Sequence, residues 1–196
     1  MRFRLGLTGS IGMGKSQTAA FFAEAGCPVW DADAAVHRLY GAGGAAVGPI
    51  AAAFPAAVTD GAVSREALRG IIAADPGALA RIEAIVHPLV REDRARFAEC
   101  HPGAIGVFDI PLLYETGSEA EFDAVACVTV PGEIQRERVL ARGTMSEADL
   151  DRILARQMPT AEKCARADFV ITTDTLDHAR AQVQDVLKEI ERRTDA

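Results

Sequence analysis

Gly9-Ser10-Ile11-Gly12-Met13-Gly14-Lys15-Ser16 fits G-x-x-x-x-G-K-[ST] at every specified position. Before it stands a short apolar run, Phe3 to Thr8, that reads as a strand. After it, Ala19, Phe22 and Ala23 recur at helical spacing until Gly26 closes the segment. A strand, a glycine turn and a helix in that order constrain the chain strongly. The glycines let successive backbone N–H groups curl around an anion, and the helix turns its positive end to the same place. With this chain's own residue frequencies, roughly 0.002 accidental matches are expected, so chance is a poor explanation. The chain beyond Gly26 must then supply further parallel strands.

The chain has 196 residues with 21 basic and 28 acidic side chains, a net charge of −7. That acidity argues against a coat for nucleic acid or an anionic membrane, both of which need a basic footprint. A phosphate site must therefore be local. Only three lysines occur, Lys15, Lys163 and Lys188, against 18 arginines, so a lysine inside a chemically meaningful motif carries weight. With 49% hydrophobic residues the chain can bury a core without disulfides. Cys27, Cys100, Cys127 and Cys164 lie far apart with no C-x-x-C pair, which speaks for reduced thiols in a cytoplasmic protein and against a zinc site. Met1 to Ser16 lacks the apolar core of a secretory leader, and the uncharged Leu39 to Thr59 run is broken by Pro49 and Pro55, a poor membrane span.

Cys27 to Trp30 reads as a second strand, ending at Asp31-Ala32-Asp33, with a helix through Val36 to Tyr40. From Gly41 to about His101 the pattern predicts helices alone: one capped by Ser64 through Ile72, one from Asp75 through Val86, and a third opened by Pro88. Strands resume at Ala104 to Asp109, Ala124 to Val130 and Phe169 to Ile171. Helices are expected over Gly132 to Arg142 and Ser146 to Gln157, the latter with a Ser146/Asp149 capping arrangement, and an amphipathic helix over Thr175 to Arg193. The expected fold is α/β: a P-loop NTPase-type three-layer α/β/α arrangement with a five-stranded parallel sheet. A single domain of 1–196 is expected, with core segments 1–40, 102–142 and 167–196, a helical insertion 41–101 and a lid 143–166. Arg136 to Arg166 holds seven basic and five acidic residues, a local bias toward anions in an acidic chain.

No N/T-K-x-D base-reading motif of a GTPase is present, and motor ATPases need a longer chain. Small-molecule kinases fit the size, the insertion and the basic lid. More specifically, Leu7 to Ser16, Asp31-Ala32-Asp33, His87-Pro88-Leu89, Asp109-Ile110-Pro111-Leu112-Leu113-Tyr114-Glu115, Gln135-x-x-Arg138-x-x-x-Arg142, Arg156-Gln157 and Ala167 to Ile171 stand in the order and spacing of the dephospho-CoA kinase family, which the chain resembles over essentially its whole length. The resemblance implies ATP-dependent phosphorylation of the ribose 3′-hydroxyl of dephospho-coenzyme A, with ATP and Mg²⁺ required. The partners it implies are small molecules, not nucleic acid or membrane. After Ile171 the chain departs from the family, which usually has Asn and Gly where Thr173 and Thr175 stand, in a region the resemblance places near the adenine.

The resemblance also implies residue roles. Gly12, Met13, Gly14, Lys15, Ser16, Gln17 and Arg142 would bind the nucleotide, and Thr8, Asp33, His87 and Glu115 the acceptor. Asp33 would orient the hydroxyl and take its proton; a helix cap is the alternative for Asp33 and for Asp31. Ser16 and Asp109 would hold Mg²⁺, Asp109 otherwise being a strand-end carboxylate. Arg142, with Arg138 and Arg156 behind it, would counter phosphoryl charge or else be a solvated helix-end arginine. Glu115 is a substrate contact or an ion-pair partner, and His87 a substrate contact or a satisfied polar residue. Arg65, Arg69 and Arg81 suit the anionic acceptor. A nucleoside or nucleotide kinase is the competing enzyme reading, and a regulator that binds nucleotide without transfer the competing non-enzyme one.

Overall fold

The computed structural model describes residues 1–195; Ala196, the last residue of the expected core, lies outside the described residues. Two compact units form, one from residues 1–30 together with the chain from His101 onward, the other from Asp31–Cys100. In chain order the elements are β1 (Phe3–Thr8), α1 (Lys15–Glu24), β2 (Val29–Asp31), α2 (Ala32–Tyr40), α3 (Val47–Ala53), β3 (Val58–Thr59), β4 (Ala62–Val63), α4 (Arg65–Ala74) and α5 (Ala78–Cys100). There follow β5 (Ile105–Asp109), β6 (Ala124–Thr129), α6 (Gly132–Ala141), α7 (Glu147–Leu154), α8 (Thr160–Arg166), β7 (Phe169–Thr172) and α9 (Leu176–Asp195).

The five-stranded sheet has the order β2-β5-β1-β6-β7. β1 pairs in parallel with β5 on one side and β6 on the other, and β6 pairs in parallel with β7. Because side chains alternate across a strand, the two faces of this sheet carry different residues. Leu5, Leu7, Val107, Ala124, Ala126, Val128 and Ile171 are buried with Phe22 of α1 and with Val183 and Ile190 of α9. On the opposite face, Val125 packs against Leu113 and Tyr114 of the β5–β6 connection, with Met158 beside them. Both faces are covered, which explains strands that are apolar throughout.

In the second unit, Leu39, Ile50, Phe54, Leu68, Ile82 and Val86 form a separate core. Ser64 caps α4 as expected, its hydroxyl accepting from the Ala67 N–H at 3.2 Å. Two expectations are corrected in this unit. The segment is not helices alone, because β3 and β4 make an antiparallel hairpin around Asp60 (φ 51°) and Gly61 (φ 74°). Two successive positive φ values are what a two-residue hairpin turn demands, and Asp-Gly supplies them at low cost. Nor does Pro88 open a new helix: α5 runs unbroken through it for 23 residues. A proline ring costs one backbone hydrogen bond, but Ile82, Val86, Leu89 and Val90 on either side all pack into the same core and hold the helical path.

In the first unit, α7 has the expected capping box, with Ser146 and Asp149 each bonded to the other's backbone N–H. α8 is an additional short helix that the apolar periodicity of the sequence does not indicate. It begins after Pro159 and packs on β6.

Candidate active site

The phosphate loop takes its shape from two left-handed glycines, Gly12 (φ 78°) and Gly14 (φ 84°). Neither tolerates a side chain. A Cβ on Gly12 would meet Val139 of α6 at 2.5 Å, and one on Gly14 would meet the Thr173 hydroxyl at 2.8 Å. Met13 between them is buried in the core, so only its backbone is offered to a ligand. Gly14 is the N-cap of α1, no side chain caps the helix and no acidic residue sits in its first turn. The first N–H groups of α1 therefore keep their positive end directed outward.

Lys15 reaches back from the start of α1 to form an ion pair with Asp109 at the end of β5. The Asp109 side chain is only 3% exposed, and the Lys15 side chain 16%. In parallel register Leu7 lies beside Asp109, so the phosphate loop and this carboxylate leave the sheet at the same edge. Ser16 and Gln17 are exposed on the first turn of α1. Among the described residues no group of three or more His, Cys, Asp or Glu side chains is arranged to hold a metal. What the site offers is one hydroxyl, Ser16, and one nearby carboxylate, Asp109. That hard-oxygen set suits a magnesium ion that takes its remaining ligands from phosphate and water.

A pocket of about 290 Å³ opens beside the loop, lined by Gly12, Gly14, Gln17, Thr18, Arg138, Arg142, Thr173, Thr175, Leu176 and Ala179. Its two arginines differ. Arg138 is committed to the protein, donating to the Thr173 carbonyl at 2.7 Å, to the Thr173 hydroxyl at 3.2 Å and to the Asp174 carbonyl at 3.3 Å. Arg142 is exposed at the C-cap of α6, just before Gly143 (φ 64°) turns the chain away. Thr173 is buried, and its hydroxyl donates to the Met13 carbonyl at 2.8 Å, tying the β7–α9 turn to the phosphate loop. Thr175 caps α9, its hydroxyl accepting from the His178 N–H at 3.2 Å.

The tip of the loop is held from outside. Gln135 Nε2 donates to the Ile11 carbonyl at 2.7 Å, and Gln157 Oε1 accepts from the Ile11 N–H at 3.3 Å. The Ser10 and Thr160 hydroxyls meet at 3.0 Å. Neither Gln135, Gln157 nor Thr160 figured among the expected binding residues. Gln135 and Gln157 do stand inside the quoted motifs, which was the available signal.

Thr8 is fully buried, and its hydroxyl donates to the Pro111 carbonyl at 3.1 Å. Glu115 forms an ion pair with Lys163 at 2.8 Å and accepts from the Met158 N–H at 2.8 Å. Burial works to raise the Glu115 pKa, but the bonds from Lys163 and Met158 and the lysine charge outweigh it and hold the carboxyl below its ordinary value. Lys163 is wholly buried and also reaches Pro111 O at 3.4 Å. Arg156 is exposed at the end of the α7 segment.

The second unit carries Asp31, Asp33 and His87. Asp31 is the N-cap of α2, accepting from the Ala34 N–H at 2.7 Å. Asp33, in the first turn of that helix, is exposed, and so is His87 on α5. Arg81 pairs with Asp75 and lies 5.1 Å from the Phe54 ring centroid, while Arg65 stands 5.8 Å from that of Tyr40. Arg69 is exposed on α4.

The dephospho-CoA kinase family model matches residues 3–178. A dephospho-CoA kinase of Ruegeria pomeroyi is 69% identical over 190 residues, covering 97% of this chain and 96% of its own. One of Cereibacter sphaeroides is 62% identical over 194 residues, covering 99% of this chain and 98% of its own. The crystal structure of TT1252 from Thermus thermophilus superposes with a TM-score of 0.84 at 32% identity, covering 95% of this chain and 97% of that one. A family match over most of the length, on a sheet whose phosphate loop and carboxylate meet at one edge, leads to one conclusion: the chain belongs to the dephospho-CoA kinase family.

Proposed function

We propose that this protein transfers the γ-phosphoryl group of ATP to the ribose 3′-hydroxyl of dephospho-coenzyme A, giving coenzyme A and ADP, the last step of coenzyme A synthesis. The family membership supports the reaction. The observation that carries the chemistry is the Lys15–Asp109 pair at the mouth of the phosphate loop, next to a pocket holding Arg142. The backbone N–H groups of Gly12 to Gln17 cradle the phosphates, Lys15 neutralises charge on the β- and γ-phosphates, and Arg142 counters charge on the moving group. Leu176, which is 64% exposed, and Ala179 give the pocket an apolar wall for the base. Ser16 and Asp109 would hold Mg²⁺, which when bound neutralises the phosphate oxygens during transfer.

Asp33 takes the proton from the acceptor hydroxyl. Asp31 is occupied as a cap, and this leaves Asp33 as the acidic side chain of the Asp-Ala-Asp motif available for that work. Glu115 acts through Lys163 as a structural partner, and Thr8 holds the chain at Pro111. Catalysis of this kind is mostly positioning.

One coupled assay tests the reading: ADP release from Mg-ATP with dephospho-coenzyme A, adenosine and AMP as parallel acceptors. Release with dephospho-coenzyme A alone is expected. Release only with adenosine or AMP would replace the acceptor, and no release with any acceptor would replace the enzyme by a nucleotide-binding regulator.

A further inference from the structure

On β6 the alternation that sends Ala126 and Val128 into the α1 and α9 face sends Cys127 the other way, toward α8. Cys164 sits on α8, and its thiol points at the Cys127 sulfur at 3.8 Å. The two are 37 residues apart in sequence and are the only cysteine pair in contact among the described residues. Cys127 is fully buried, whereas Cys164 is partly open to solvent. Burial pushes the Cys127 thiol up to about 12, with the neighbouring Cys164 adding to the shift, so Cys127 stays protonated at neutral pH.

α8 also touches the nucleotide machinery. Its first residue, Thr160, meets the Ser10 hydroxyl of the phosphate loop at 3.0 Å, and Lys163, adjacent to Cys164, bonds Glu115 and Pro111 in the segment that follows Asp109. A covalent restraint on Cys164 therefore acts on the helix that joins both.

We propose that Cys127 and Cys164 are a hydroperoxide-reactive dithiol which closes to a disulfide, fixes α8 to β6 and slows phosphoryl transfer. The accessible Cys164 sulfur attacks one oxygen of hydrogen peroxide. The O–O bond breaks, water leaves and Cys164 becomes a sulfenic acid. The Cys127 sulfur then displaces the hydroxyl group from Cys164 and gives up its proton to that departing hydroxyl, forming the S–S bond and releasing a second water. In sum, two thiols lose two electrons and two protons, and one peroxide is reduced to two waters. The disulfide is reversed by dithiothreitol. Turnover falls because the bond holds Thr160 and Lys163 in one position while the nucleotide site must open and close.

The test treats the full chain with hydrogen peroxide, alkylates the remaining thiols after denaturation, and maps the digested peptides by mass. Turnover with ATP and dephospho-coenzyme A is measured before and after dithiothreitol. The expected result is a Cys127–Cys164 peptide pair lighter by two hydrogens in a monomer, with most of the turnover lost and then restored. C164A and C127A, each checked for native circular dichroism, should keep their turnover under peroxide. Three outcomes would overturn the proposal: a sulfinic acid on Cys164 with Cys127 still alkylated, cross-linking through the exposed Cys100, or a mapped disulfide with unchanged turnover. The mass readout does not depend on the acceptor, so a wrong acceptor and a wrong dithiol are told apart.

Discussion

Lys15 serves two partners, the phosphates it would bind and the carboxylate it already holds, and mutation can separate these roles. Lys15→Ala should lower turnover about a hundredfold or more, because it removes a charge placed at the transferring group. It should also cost on the order of 1–3 kcal/mol of stability, since the Asp109 carboxylate, 3% exposed, loses the cation facing it. Adding Asp109→Asn should restore the stability in urea melts without restoring turnover; recovery of turnover would refute the division of roles. A second residue-scale expectation concerns acid. The Glu115 carboxyl is held below its ordinary value, so the stability it contributes is present above that value and is lost as pH falls through the depressed one. Glu115→Gln should therefore flatten part of the acid-side fall in melting temperature, and Lys163→Met, by removing the cation that lowers the Glu115 value, should flatten it as well. At this scale the motifs located the phosphate loop and Asp109, because those jobs demand particular side chains in a fixed order. They singled out Thr173 only as a departure near the adenine and missed its task of bonding a distant carbonyl, which depends on a β7–α9 turn that no local pattern displays.

Helices and strands depend on what packs beside them, and α5 shows this most plainly. Proline within its 23 residues suggests a break, yet the apolar residues on both sides share one core. Pro88→Ala should then stabilise the second unit by about 1–3 kcal/mol, by restoring an N–H and relieving the ring's crowding of the preceding turn. A chemical melt measures it; a loss of stability would mean that the ring itself packs usefully. The β3–β4 hairpin gives the opposite lesson, since Asp60-Gly61 is a local hairpin-turn signal that the all-helical reading of this segment passed over. Nothing lies within 4 Å of a Cβ placed on Gly61, whose φ is 74°. Gly61→Ala should accordingly cost about 1 kcal/mol through backbone strain alone, again read from a melt. The sheet was more legible than the helices, because strands buried on two faces announce themselves as uninterrupted apolar runs.

For the molecule as a whole, the scarcity of lysine gives a direct chemical handle. The Lys163 side chain is 0% exposed, that of Lys15 16% and that of Lys188 71%. An amine-directed reagent should label Lys188 at once and leave Lys163 untouched until unfolding. Loss of turnover should follow modification of Lys15 and be slowed by Mg-ATP. Peptide mapping against residual activity checks this, and inactivation that tracks Lys188 would contradict it.

The arrangement of the sheet also bears on how the chain is made. β1 is made before either of its neighbours, yet it is the middle strand, and its partners β5 and β6 begin only at Ile105 and Ala124. The unit Asp31–Cys100 is continuous and is complete before either partner emerges. During synthesis the chain thus presents a finished helical unit behind an apolar strand with both edges open. Pairing of that strand waits on contacts distant in sequence, which form slowly. For this protein the interval most exposed to aggregation lies between the synthesis of β1 and that of β6.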